Sequence, residues 1–187
     1  MRVVIAGVIA GIVMFLWGAV SHMLLPIGQI GLEAPSDESA LSALQSSLPE
    51  EGVYMLPWLD REHWEDEAAI AAFSERAGNA PYAFVVYNPV GRDPMAMGGM
   101  LGMQLLSDVL AAILAAWVVS YAVVRFFHRA LMVTAIGVFA WLAVSVPYWN
   151  WYRFPLDFTL ANLAHLGIGW YLAGLAIAWW LGRAPRT

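Results

Sequence analysis

Four long apolar runs decide what this chain can fold into: Val3 to about Leu25, about Gly99 to Val124, Ala130 to Val146, and about Leu156 to Leu181. A helix needs roughly 20 apolar residues to cross the hydrocarbon core of a bilayer. Within lipid, every backbone amide must also find its partner inside the protein. Runs of this length, with so few charges, predict four transmembrane helices. Composition agrees, since 61% of residues are hydrophobic and 12% are charged, against an apolar share of about 45 to 50% in soluble domains. The first run could also be read as a signal peptide. It lacks a small-x-small cleavage site, however, and places Trp17 and His22 where small residues would be wanted, so a retained helix is expected.

All nine basic residues are arginines, and their positions orient the spans. Arg2, Arg125 and Arg129, and Arg183 and Arg186 flank the spans on one side; the other side holds Arg153 and a long loop from Glu33 to Asp93, in which twelve carboxylates meet three arginines. By the positive-inside rule both termini are expected in the cytoplasm of a bacterial inner membrane, with residues 33–96 in the periplasm. Residues 1–32 then form the first helix and its exit, and residues 97–187 form helices two to four.

Turn signals divide the loop into an α-β-α-β cap of about 60 residues, too small to bury much core alone. Ser36 is expected to cap a helix through about Leu48, ended by Pro49. "GVYMLPW" and "PYAFVVYNP" read as paired strands, with Pro57 limiting the first. The stretch from Asp60 to Ala77 reads as a second helix with Asp60 at its N-cap and Gly78 at its stop. The predicted fold class is thus a mostly α membrane protein with four transmembrane helices and a small α+β periplasmic insert between helices 1 and 2.

Intramembrane ionisable groups are costly and draw attention to function. Asp108 and His165 are expected at similar depth, with His22 a little nearer the surface. Asn162 lies three residues before His165 on the same helix face, and Ser21, Gln104 and Ser107 could join them. This polar cluster reads as a proton relay, a ligand pocket, or an axial-histidine site for haem or a chlorophyll-type pigment, with His22 and His165 as the cofactor-binding residues. The preferred reading is structural: an Asp108 to His165 hydrogen bond clips two helices together, and Asn162 satisfies what remains. No cofactor is required by the sequence.

Other chemistry is scarce. The absence of cysteine removes disulfides, thiolate metal sites and cysteine nucleophiles. His63, with Glu62 beside it and Glu67 four residues on, invites a metal reading, but a solvated acidic first turn explains it more simply, so neither a metal site nor a catalytic residue is assigned. Phosphate-binding glycine loops, serine-nucleophile elbows and basic nucleic-acid patches are absent, and no nucleic-acid partner is expected. Gly7 and Gly11, and Ala111, Ala112, Ala115 and Ala116, fit close helix packing.

Between the last two spans stands "VPYWNWYRFPLD", residues 146–157. Pro147 is expected to end helix three and Pro155 to start helix four, making residues 147–157 an aromatic periplasmic turn. Tyr148, Trp149, Asn150, Trp151, Tyr152 and Arg153 read as a membrane-boundary belt or a face for a partner.

"WGAVSHMLLP", "EGVYMLP", "PYAFVVYNPVG" and "SVPYWNWYRFPLDFTLA" together resemble, in the same order, a family of small four-span bacterial inner-membrane proteins. The resemblance implies the four-span topology with a periplasmic insert and brings no activity, cofactor or substrate. Two functional expectations follow. The favoured one is a non-catalytic accessory subunit of a larger respiratory, photosynthetic or transport complex, touching lipids and other membrane subunits. The alternative is a small carrier, haem or pigment binder, or lipid or quinone enzyme, using Asp108, Asn162, His165 and His22.

Overall fold

The computed structural model describes residues 1–183; Arg186, which entered the orientation reading, lies outside them. The chain divides into two compact units, residues 1–33 with 95 onward, and residues 34–94.

The first unit holds four helices long and apolar enough to cross a membrane. Helix α1 spans Arg2–Ala19 and runs on through a π-helical turn, Val20–Leu24, into a 3-10 turn at Pro26–Gln29. The second unit then contributes α2 (Ser39–Ser47), β1 (Gly52–Leu56), α3 (Glu67–Asn79) and β2 (Ala83–Tyr87) before the chain enters α4 (Gly98–Ser120), α5 (Phe126–Tyr152) and α6 (Leu156–Gly182). In the membrane unit, α1 lies against α4 and α6, and α6 lies against α5, whereas α4 and α5 touch only lightly. The principal contacts therefore run α4-α1-α6-α5, with α1 and α6 each packed against two neighbours, while a five-residue link keeps the adjoining ends of α4 and α5 near each other.

Small residues set this packing. Ala6, Gly7, Ala10, Gly11 and Met14 form the buried stripe of α1, facing buried Ala112, Ala115 and Ala116 of α4, with Ala111 packed at the margin. A methyl group added at Gly7 would stand 2.5 Å from the Ile113 Cα, and one at Gly11 would stand 2.5 Å from the Val109 Cα. No side chain fits there, so the two backbones approach directly, as helices do in lipid when dispersion contacts drive association. Gly174 of α6 likewise leaves no space against the Ala130 carbonyl of α5, at 2.7 Å.

Helix α5 departs from expectation. It continues through Pro147 to Tyr152, so Pro147 lies inside the helix and does not end it. Proline removes one amide donor there, and a membrane helix tolerates that loss where neighbours re-satisfy the backbone. The turn proper is the three residues 153–155. Arg153 takes a left-handed conformation (φ 57°), and its N–H and that of Phe154 both return to the Tyr148 carbonyl. Such a residue closes a helix where glycine is more usual. Pro155 sits at the N-cap of α6, as expected.

In the second unit, β1 and β2 pair antiparallel with Gly52 opposite Tyr87 and Leu56 opposite Ala83, the partnership expected from sequence. Two helix starts differ from expectation. Asp37, not Ser36, receives the Ser39 amide at the head of α2, at 2.8 Å. Asp60 opens only a 3-10 turn, Arg61–His63, and the cap of α3 is Asp66, whose carboxylate accepts from Ala68 at 2.9 Å and Ala69 at 3.1 Å. Several carboxylates compete for one cap, and the residue directly before the alanine-rich stretch wins because its oxygen reaches the N2 and N3 amides. Leu48 is the single buried side chain among residues 34–94, in keeping with a hairpin and two short helices that make only a small core.

Candidate functional site

The polar residues expected to converge are instead divided among three places. Register explains the first separation. Gly7 opposite Ile113 and Gly11 opposite Val109 carry Ser21 to the level of Gly99, nine residues, or about 13 Å, outward of Asp108. Asp108, 9% exposed, therefore lies deeper than His22 and His165, and the expected similar depth is corrected. Its carboxylate accepts from Gln104 Nε2 one turn earlier on α4, at 3.0 Å. Ser107, also on α4, is exposed. The clip imagined between Asp108 and His165 is not formed, because His165 bonds elsewhere.

Asn162 parts from His165 by rotation. Three residues on a helix fall about 60° short of a full turn, enough on α6, which packs against both α5 and α1, to aim one side chain at each neighbour. Asn162 donates to the Phe158 carbonyl of its own helix at 3.0 Å. It also lines a cavity of about 180 Å³ between α5 and α6, with Ser145, Tyr148, Phe154, Phe158 and Thr159.

His165 faces α1. Its Nδ1 lies 2.8 Å from the hydroxyl of Ser21, which is fully buried. That hydroxyl is also 3.0 Å from Nδ1 of His22 and 3.1 Å from the Gly18 carbonyl, while His22 Nδ1 is 2.9 Å from the same carbonyl. One proton assignment satisfies every contact: Ser21 donates to the Gly18 carbonyl, Nδ1–H of His165 donates to the Ser21 oxygen, and Nδ1–H of His22 is shared between that oxygen and the Gly18 carbonyl, which leaves Nε2 of each neutral ring as an acceptor. The two imidazoles meet edge to face with centroids 5.0 Å apart. Trp17, one turn before Ser21, stacks on His165 and donates its indole N–H to the His165 carbonyl at 2.9 Å.

A glycine-dependent fold-back packs against His22, which stays exposed. After the π-helical turn, the 3-10 turn brings Gly28 onto the His22 ring, where a Cβ would lie 2.0 Å from Cδ2. Gly31, at φ +78°, then lands on Phe158 of α6, where a Cβ would lie 2.6 Å from that of Phe158. Positive φ and absent side chain are both needed, which glycine alone supplies at no steric cost.

The chemistry available is that of two imidazoles linked by a shared hydroxyl near one end of the membrane helices. Their edge-to-face contact leaves no space for a macrocycle between them, so a haem held axially by both does not fit. Each ring keeps its Nε2 edge beyond the serine contact. Trp17, Gly28 and Gly31 did not emerge from sequence reasoning; the i, i+4 spacing of Trp17 and Ser21 was the available signal, and nothing local tied Gly28 to His22.

The aromatic segment is a connected ring system. Tyr148 meets Tyr152 at 5.3 Å and Phe154 at 5.2 Å, and Phe154 meets Phe158 at 5.5 Å. Tyr148, Trp149 and Trp151 are exposed, Trp151 most of all, and Asn150 is exposed beside them. Trp141 ties α5 to α6 by donating to the Thr159 carbonyl at 2.8 Å.

In the second unit, His63 lies in the 3-10 turn, 3.6 Å from Glu62, while Glu67 begins α3. The i, i+4 geometry invoked for a metal pair is therefore broken by the helix start. No family model, curated protein or solved structure matches the chain.

Proposed function

We propose that this chain is a non-catalytic accessory subunit of a larger bacterial inner-membrane complex, respiratory, photosynthetic or transport-related. Both termini are cytoplasmic in this reading, and the 33–96 segment is periplasmic, because the span-flanking arginines cluster on the terminal side. The observation that carries the reading is the openness of α5. Only 17% of its most apolar stretch is buried by its neighbours, against 33% for α6, and its outer end presents Tyr148, Trp149, Asn150 and Trp151. Aromatic rings are enriched at the cores of protein interfaces, where they supply large contact area at low entropic cost. A photo-crosslinking amino acid at Leu142 or Trp151 tests this in native membranes. Crosslinks to a second integral membrane polypeptide support the proposal; crosslinks only to lipid or to a second copy overturn it.

A second reading, a small ligand-handling membrane protein, draws on one observation: Ser21 joins two histidines from different helices. An absorption spectrum of the protein purified from native membranes tests its haem or pigment form. A haem or pigment band lost in His165→Ala supports it, and a featureless visible region removes that form.

A further inference from the structure

The end of the membrane unit opposite the histidine pair collects cations. Arg2 opens α1, Arg125 and Arg129 flank the first turn of α5, and Arg183 closes α6. Antiparallel packing brings these three helix ends together: Arg2 reaches the Trp180 and Leu181 carbonyls, and the register that sets Gly174 on Ala130 carries Ala178 to the level of Phe126, the first residue of α5. Among the described residues of the membrane unit, the carboxylate nearest this end is Asp108, twelve residues before the end of α4, or about 18 Å along the helix. No carboxylate among the described residues of that unit therefore compensates the four positive charges locally. Arg183 stacks on Trp179 at 3.6 Å, which positions its guanidinium without neutralising it.

Two further features describe this end. Arg129 Nη2 donates to the Ala122 carbonyl at 3.0 Å, which fixes its guanidinium, while its Nε and the indole Nε1 of Trp180 are enclosed by protein without a hydrogen-bond partner and do not themselves face an external anion. The start of α5 also lacks a side-chain cap and any acidic residue, so its first amides point outward between Arg125 and Arg129.

We infer that this end binds the phosphodiester headgroup of an anionic phospholipid, between the α5 N-terminus and the α6 C-terminus. Arg125 and Arg129 supply the principal charge, and Arg2 and Arg183 flank it. Phosphate oxygens complement arginine's forked donors and uncapped helix amides alike. A lipid is the occupant chosen over free phosphate because the helices meeting here are membrane spans, whose ends lie at headgroup level. The inference does not depend on the subunit proposal.

The test uses the full chain in mixed micelles, with native mass spectrometry reading the lipid retained from equal amounts of phosphatidylglycerol and phosphatidylcholine. Wild type is expected to retain phosphatidylglycerol preferentially, and the exposed pair Arg125→Gln and Arg183→Gln to weaken that preference by about fivefold per arginine. Arg129→Gln is expected to do the same if it folds; the exposed pair keeps the test decisive if it does not. Equal retention of the two lipids by wild type, or an undiminished preference in the exposed double variant, overturns the inference. Displacement of the lipid by millimolar inorganic phosphate also overturns it, by assigning the site to the free anion.

Discussion

The Ser21 hydroxyl on α1 stands 2.8 Å from Nδ1 of His165 on α6, joining two helices through a residue that is fully buried. Ser21→Ala removes this link and the contact with His22 together. Interhelical bonds of this kind in membranes contribute roughly 1 to 2 kcal/mol at most, so a loss of that size is expected in unfolding from detergent. Ser120→Ala is the control, since its hydroxyl bonds only the Trp117 carbonyl of its own helix, and a change under about 0.5 kcal/mol is expected there. Equal effects for the two variants would contradict the bridge.

The α1–α4 contact predicts a contrast between two glycines of one helix. Gly11→Val drives a branched side chain into the Val109 backbone, whereas a Cβ at Gly18 meets nothing within 4 Å. Overpacking of this sort costs about 1 to 3 kcal/mol, and Gly18→Ala should be neutral or slightly stabilising by helix propensity. Thermal unfolding of the two variants checks both directions.

At the start of α3, Asp66→Ala is expected to cost about 1 kcal/mol by removing the acceptor for two amides. Asp60→Ala should cost much less, because the Asp60 side chain bonds only Trp58 Nε1, on the surface. Amide exchange across residues 67–70 reports the difference. Greater loss of protection in the Asp60 variant would restore the longer helix that the sequence suggests.

Asp37 gives the insert a pH dependence. Hydrogen bonds from the Ser39 side chain and amide hold its carboxyl below the ordinary range. A lowered folded value means that the ionised form stabilises the head of α2 above the unfolded value of about 3.9, and that the contribution is lost as pH falls through the lower, folded value. Ser39 amide protection should therefore decline at acid pH in wild type. The Asp37 contribution to that decline should be missing in Asp37→Asn, and an identical profile in the two proteins would contradict the bond.

These corrections mark what periodicity can carry. The four spans were legible because length and apolarity are local, and so was the β1–β2 pairing, because two short strand-like runs sit close in sequence. Gly7 and Gly11 were readable as a packing face for the same reason. The polar cluster was not, since its assembly depends on how far each helix slides and rotates against its neighbours. The direct Gly7 and Gly11 contacts fix that slide and leave Asp108 well inward of Ser21. Rotation of α6 between its two neighbours then sends Asn162 toward α5 and His165 toward α1. Pro147 misled for a different reason: in water it argues for a helix end, whereas in a membrane helix the loss of one backbone bond can be absorbed.

The subunit proposal is tested most directly by the size and composition of the particle extracted from native membranes in mild detergent. The account predicts that this 20.5 kDa chain migrates with a larger assembly containing other integral membrane polypeptides, and that Trp151→Ala with Trp149→Ala releases it. Recovery of the wild-type chain only as a free monomer or homo-oligomer would contradict the account.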